Sequence, residues 1–409
     1  MRRLYGVVPQ QSFPLPWTEA GRQDPFPWFA HMRSQHPVAF HEELGAWGIF
    51  RYDDVLAVLK DNLNFSIAAS YATLEPEHRR YHLLAETLPS LDQPEHTRHR
   101  ALENPAFAPR AIELLRPVIE RAARRLLKES VAKKTFDLIG EVAYPLPLSA
   151  IAILLGLPED PAQFRRFVRG FKGARHELGS AHLVDFDRAL ATRIAFEEYI
   201  AEAVDERRAC LGQDMISSLL TADLTGVSLD RHEMLVKTTM SLFGAGTHTT
   251  QTLIGNTVIE LLRHPGALQQ LRTRPELVES TIEEVLRYHS PAQAIKRTTT
   301  VEVELHRQRI PAGSPVVLWL QAANRDPDVF PEPDRFDIER TPNRHLAFAF
   351  GIHFCIGAPL ARLEAQVALR EILAATQTIE FADPETPLDW IDALEVVCVR
   401  RLPVRVTPA

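Results

Sequence analysis

The chain has 409 residues, 45% of them apolar and 24% charged, with 30 Pro, 18 Gly, 3 Cys and a formal net charge of -7. That balance describes a globular protein and excludes disordered, collagenous and disulfide-stapled chains. The mild acidity argues against nucleic acid as the main partner, because phosphate recognition needs an excess of Lys and Arg.

Near the N-terminus, Gln10, Gln11, Pro14, Pro16 and Glu19 interrupt any apolar stretch of the secretory kind. Val38 and Phe40, then Trp47-Gly48-Ile49-Phe50 beyond Leu44-Gly45, predict an early strand pair. Pro117 suits a first helical turn, and Val118, Ile119, Ala122 and Leu126 keep three-and-four spacing after it. Residues 143–158 are the most apolar segment, but they carry Pro145 and Pro147 and fall short of the roughly 20 residues that span a bilayer. Leu190, Ile194 and Ile200 predict a further helix to about Val204. A long helix is predicted from the cap candidate Ser228, with Asp230 in its first turn, to the stop signal His264-Pro265-Gly266. At about 1.5 Å per residue it is roughly 54 Å long. Beyond it Val301, Val303 and Leu305 alternate as in a strand, residues 316–320 form a short apolar run, and helix resumes after Pro359. No repeat or Gly/Ser linker marks a boundary, so residues 1–409 are read as one cytoplasmic domain, mainly α with a small β region and no membrane anchor.

Three segments carry chemistry. Inside the long helix, Phe243-Gly244-Ala245-Gly246-Thr247-His248-Thr249-Thr250 opposes helix locally, since each interior Gly costs about 0.8–1 kcal/mol and hydroxyls compete for backbone bonds. A kinked turn that admits a ligand and close packing at Gly are both open readings. Glu284 and Arg287 share a helix face, a cheap spacing that Glu113 with Arg116 and Glu260 with Arg263 also show; the apolar frame Ile282, Val285 and Leu286 sets Glu284 apart. Cys355 precedes a helical stretch and is flanked by Gly351 and Gly357. A thiol so placed is biased toward thiolate by the helix dipole and free amides, which suits a metal ligand, although a lone Cys is ordinarily a small buried hydrophobe. Cys210, Cys355 and Cys398 form no Cys-x-x-Cys, so a zinc ribbon is not expected. Neither His176-Glu177 nor His232-Glu233 is followed by a second His, His78 and His82 lack a third ligand, and Gly-x-Ser-x-Gly and Walker loops are absent.

In this order, these elements resemble the cytochrome P450 family, bacterial soluble type, over nearly the whole chain. The match runs through Phe348, Gly351, His353, Cys355 and Gly357, through Ala245, Gly246, Thr249 and Thr250, and through Glu284 with Arg287. Residues 323–327 and 333–337 look like the bacterial members, with Arg335 completing the family's Glu/Arg/Arg triad. The resemblance implies the P450 fold, with the long helix over haem b (iron protoporphyrin IX) and Cys355 as axial ligand. It implies that His96, Arg100, Arg297 and His345 hold the two propionates, and that Thr249 is the hydroxyl that steadies dioxygen and its water chain. The implied reaction inserts one oxygen atom from O2 into a lipophilic small molecule, drawn in around residues 65–84, 167–183, Leu242, Phe243, residues 292–295 and Ala393. A separate ferredoxin or flavodoxin with its reductase would supply electrons, and ten Lys or Arg against four Glu between His96 and Lys134 give a basic face for it. Two departures stand out. His248 replaces the usual acid before Thr249, which leaves a proton relay through imidazole or use of peroxide both open. Ala349 replaces a common Gly and is expected only to stiffen the loop. A peroxide-dependent enzyme and a haem-binding sensor are the alternatives.

Overall fold

The turn at Gly45 takes φ +59°, a conformation open to glycine, and brings β1 (Val38–His41) antiparallel to β2 (Ala46–Ile49) with Phe40 opposite Trp47. β2 lies parallel to β8 (Pro315–Trp319), which pairs antiparallel with β5 (Ala294–Thr299), and β5 pairs with β3 (Phe65–Ser66). A second sheet runs β4 (Thr135–Asp137), β10 (Pro403–Pro408), β9 (Thr376–Phe381). The last is the hairpin of β6 (Val303–Leu305) and β7 (Gln308–Ile310). The alternation expected from Val301 begins two residues later, and Val301 itself is exposed. The computed structural model describes residues 15–16, 18–72, 84–157, 186–222, 231–391 and 394–409.

Helices fill most of the remaining volume. Arg116–Val131 buries Ile119, Ala123, Leu127 and Val131, a stripe at four-residue spacing, and Pro117 sits in its first turn. The apolar segment at 143–158 is a core helix, Pro145–Leu155, and among the described residues no helix is long and apolar enough to cross a membrane. Phe186–Ala209 matches the next predicted helix.

The central helix spans Arg231–Arg263, about 50 Å long; Ser228 and Asp230 lie outside the described residues. It packs on Pro145–Leu155, Phe186–Ala209 and Ala358–Ala375. Leu235, Leu253, Ile254 and Ile259 from it are fully buried, each contributing about 1.5–3 kcal/mol of apolar transfer. Residues Phe243–Thr250, where a kinked turn is one open reading, lie within continuous α-helix. Thr247, Thr249 and Thr252 each donate a hydroxyl hydrogen bond of 2.8 Å to the carbonyl one turn back, so they no longer compete with the helical ladder. A Cβ added at Gly246 would lie 3.4 Å from Ile151 Cδ1, an ordinary van der Waals contact, so packing alone does not require glycine there.

Candidate functional site

The loop before helix Ala358–Ala375 closes on itself: the Cys355 amide donates to the Phe348 carbonyl (2.9 Å) and the Phe354 amide to that of Gly351 (3.1 Å). Gly351 takes φ +73°, and a Cβ there would sit 2.9 Å from the Leu59 carbonyl oxygen, so only glycine fits. Burial pushes the Cys355 thiol up, while the amides of Gly357 and Ala358 and the charges of Arg100 and Arg362 pull it down. Phe348 packs under the Arg362 guanidinium, 4.6 Å from its ring centroid. Among the described residues no group of three or more His, Cys, Asp or Glu is placed to hold a metal ion.

Beside this loop four bases converge. His96 and His353 stack edge to face at 4.4 Å between centroids. Burial, then Arg100, lowers His96 to about 4; burial, then Arg297, His96 and Arg100, lowers His353 to about 3. His96 Nε2 is buried with no hydrogen-bond partner. Arg297 is 4% exposed and, among the described residues, forms no ion pair; its Nη1 donates only to the Lys296 carbonyl (2.7 Å). Arg100 donates to the Phe354 carbonyl (2.8 Å), one residue from Cys355.

A second cluster braces the loop from below. Arg287 donates to both Glu284 oxygens (2.8 and 2.7 Å), and both side chains are wholly buried. Arg287 also donates to the carbonyls of Asn324, Pro333 and Arg335, and Glu284 accepts from the Asp337 amide, Arg340 Nε and Asn343. Next to it Glu283 takes two bonds from Arg362 (2.7 and 2.8 Å) and one from His345 Nε2 (3.0 Å). Burial opposes its charge, but those bonds win and hold Glu283 at about 2. The Thr249 hydroxyl donates to the Ala245 carbonyl, and His248 lies 6.3 Å from the Tyr144 ring. Of the expected pocket residues, Phe243 packs against Phe196 (4.9 Å), Leu242 is buried, Ala292 bridges to Val396, and residues 167–183 and Ala393 lie outside the described residues.

The sequence model of the family described as Cytochrome P450 matches residues 182–390. Cytochrome P450 109 of Bacillus spizizenii is 37% identical over 99% of this chain and 96% of its own. Among solved structures, cytochrome P450 CYP109Q5 from Chondromyces apiculatus superposes with a TM-score of 0.86 at 36% identity, covering 96% of this chain and 97% of that one. CYP109E1 from Bacillus megaterium, in complex with corticosterone, gives 0.83 at 34%, covering 95% and 99%.

The chain belongs to the cytochrome P450 family. This P450 is thus an oxidoreductase of the monooxygenase class that carries haem b on a cysteine thiolate. Its own residues fit that group: the unpartnered His96 Nε2, the buried unpaired Arg297, Arg100 and His353 form a basic cradle beside Cys355 that calls for carboxylates, and haem brings two.

Two expected roles move to other residues in this P450. His345 is not in the cradle: Nε2 is bonded to Glu283 and Nδ1 accepts from the Ala347 amide (3.3 Å), so both ring nitrogens are spent. His353 stands in the cradle instead, edge to face with His96, and its position two residues before Cys355, within the same loop, was the available signal. Arg335 is not in the triad either: its side chain is 62% exposed and pairs with Glu332, and only its carbonyl meets Arg287. Arg340, 9% exposed, reaches Glu284 at 3.3 Å instead. His353→Ala is expected to weaken haem binding by about 1.5–3 kcal/mol, the worth of a charge-assisted hydrogen bond, whereas His345→Gln should retain haem as the parent does. Haem transfer to apomyoglobin measures both.

Ala349 does more than stiffen the loop. Its φ is +58°, where a Cβ costs roughly 1–2 kcal/mol. Ala349→Gly should therefore raise stability by about 1 kcal/mol, seen as a higher urea midpoint; an unchanged or lower midpoint contradicts the strain.

Proposed function

We propose that this P450 inserts one oxygen atom from O2 into a lipophilic small molecule, with electrons from a separate ferredoxin or flavodoxin and its reductase. The observation that carries this reading is the Cys355 loop, with two backbone amides turned toward the sulfur, set against the cradle of His96, Arg100, Arg297 and His353. When bound, haem supplies the oxygen-activating redox chemistry, and an axial thiolate favours O–O cleavage. The chain's residues bind and orient. Cys355 ligates, the four bases hold the carboxylates, and Thr249 keeps a hydroxyl on the central helix, where rotation frees it to donate to oxygen or water. Ala245 and Gly246 keep that turn of helix free of bulk.

A separate donor is supported by charge. Arg110, Arg121, Arg125, Lys128 and Lys134 are exposed and, among the described residues, form no ion pair. Phe350 and Phe354 on the ligand loop are 43% and 40% exposed, and Lys60 Nζ lies 5.3 Å from the Phe350 ring centroid. Apolar contact with positive surroundings fits an acidic electron-transfer protein. A lipophilic substrate is supported by the apolar lining at Leu242 and Ala292 and by the relative crystallised with corticosterone. His248, where the family carries an acid, favours a second reading, a peroxide-dependent oxygenase.

The test is turnover with a surrogate ferredoxin, its reductase, NADPH and 18O2, on compounds first selected because they shift the haem band. One labelled oxygen per product supports the proposal. Product from hydrogen peroxide alone would replace it with the second reading, and haem without product from either oxidant would leave a sensor.

A further inference from the structure

We propose that Asp92 is a positioning residue of the haem cradle: acting through Arg297 and His96, its carboxylate adds one negative charge that favours the ferric state and keeps the reduction potential low. The inference rests on haem binding alone, so it stands whichever oxidant the enzyme uses. Asp92 lies where the elements that build the cradle meet. Its carbonyl accepts from the His96 amide (2.8 Å) and so closes the first turn of helix Glu95–Glu103, which carries His96 and Arg100. Its carboxylate accepts from the Ser66 hydroxyl and from the amides of Ile67 (3.0 Å) and Ala68 (3.4 Å). Ser66 is on β3, directly opposite Thr298 of β5, the residue after Arg297. Helix Ala68–Ala72 continues against β5, with Ser70 Oγ 3.0 Å from Thr298 Oγ1. The side chain and main chain of one residue thus join the sheet bearing Arg297 to the helix bearing His96.

The electrostatics point the same way. Arg297 is 4% exposed; burial lowers it to about 10, and Asp92 is the first of the charges that oppose that fall. Asp92 also opposes the lowering of His96. With His96 lowered to about 4 and His353 to about 3, both rings are uncharged near neutral pH, so Arg100 and Arg297 are the cations of the cradle. The two carboxylates of haem balance them one for one, and Asp92 is then a surplus anion. Holding the amides of Ile67 and Ala68 needs only an acceptor, which Asn supplies as well as Asp. If Asp92 served that cap alone, nothing would call for its charge. What the charge adds is a field on a buried guanidinium, where salt screens it least. Reduction brings one electron from the donor to the iron, with no bond or proton changing at Asp92, and a nearby anion disfavours it.

The experiment is a spectroelectrochemical titration of the holoenzyme without added substrate, with haem content and the urea midpoint as controls for fold. Asp92→Asn, which keeps the shape and an acceptor, is expected to shift the ferric–ferrous equilibrium toward ferrous about threefold, which is about 28 mV upward at about 59 mV per tenfold for one electron. Asp92→Glu, which keeps the charge, should stay near the parent. Ser66→Ala removes a donor to the carboxylate but no charge, and should leave the potential where it is. An unmoved potential in Asp92→Asn overturns the proposal. So does an equal rise in Ser66→Ala or Asp92→Glu, because the effect would then belong to backbone support and not to charge. If Asp92→Asn is isolated without haem, haem transfer to apomyoglobin from Ser66→Ala decides: parental retention there assigns the loss to the missing charge, and an equal loss overturns the proposal. Turnover enters none of these readouts, so a failure of the O2 reading above would be seen separately.

Discussion

A Cys355→Ser variant is expected to lose the strongly red-shifted band of the reduced carbon monoxide complex and all oxygenation with it. The band reports an anionic sulfur on iron, and a serine hydroxyl at the same place donates far less electron density. The loop itself should survive, because its closing bonds run between backbone groups of Phe348, Gly351 and Cys355 and need no thiol. The informative preparation therefore retains haem through the cradle of His96, Arg100, Arg297 and His353 but shows a blue-shifted spectrum. Retention of the red-shifted band in that variant would remove Cys355 as the axial ligand.

Breaking the Glu284–Arg287 pair should be the most damaging single change to the fold. Glu284→Gln leaves a guanidinium fully buried without its counter-charge, a loss of about 3–5 kcal/mol from a domain stability that is about 5–15 kcal/mol in total. The damage also spreads. Glu284 holds the Asp337 amide, Arg340 and Asn343, and Arg287 holds three carbonyls between Asn324 and Arg335. That stretch leads into the ligand loop, so haem retention should fall together with the urea midpoint. Glu284→Gln with the parent's midpoint and haem content would show the pair to be dispensable.

Much of this was legible in the chain because the signals are local. Cys355 is marked by glycines four before and two after it, and the end of the central helix by its His264-Pro265-Gly266 stop. Arg340 and His353 were missed for one shared reason. Several bases lie near each motif, and which of them turns inward depends on contacts 50 or more residues away, Glu284 to Arg340 and His96 to His353. No periodicity in 335–345 separates the exposed Arg335 from the buried Arg340. The Gly and Thr residues that propensity flagged lie within continuous helix, where the Thr hydroxyls back-bond to carbonyls one turn before.

The two left-handed residues of the ligand loop face different evolutionary futures. At 349 the obstacle is a torsional preference, which a lineage can absorb with a compensating change elsewhere, so alanine and glycine can interchange by drift. At 351 it is a wall, the Leu59 oxygen, and no remote compensation removes an atom from the path of a side chain. Divergence among descendants of this protein should therefore pass freely through the first position and halt at the second.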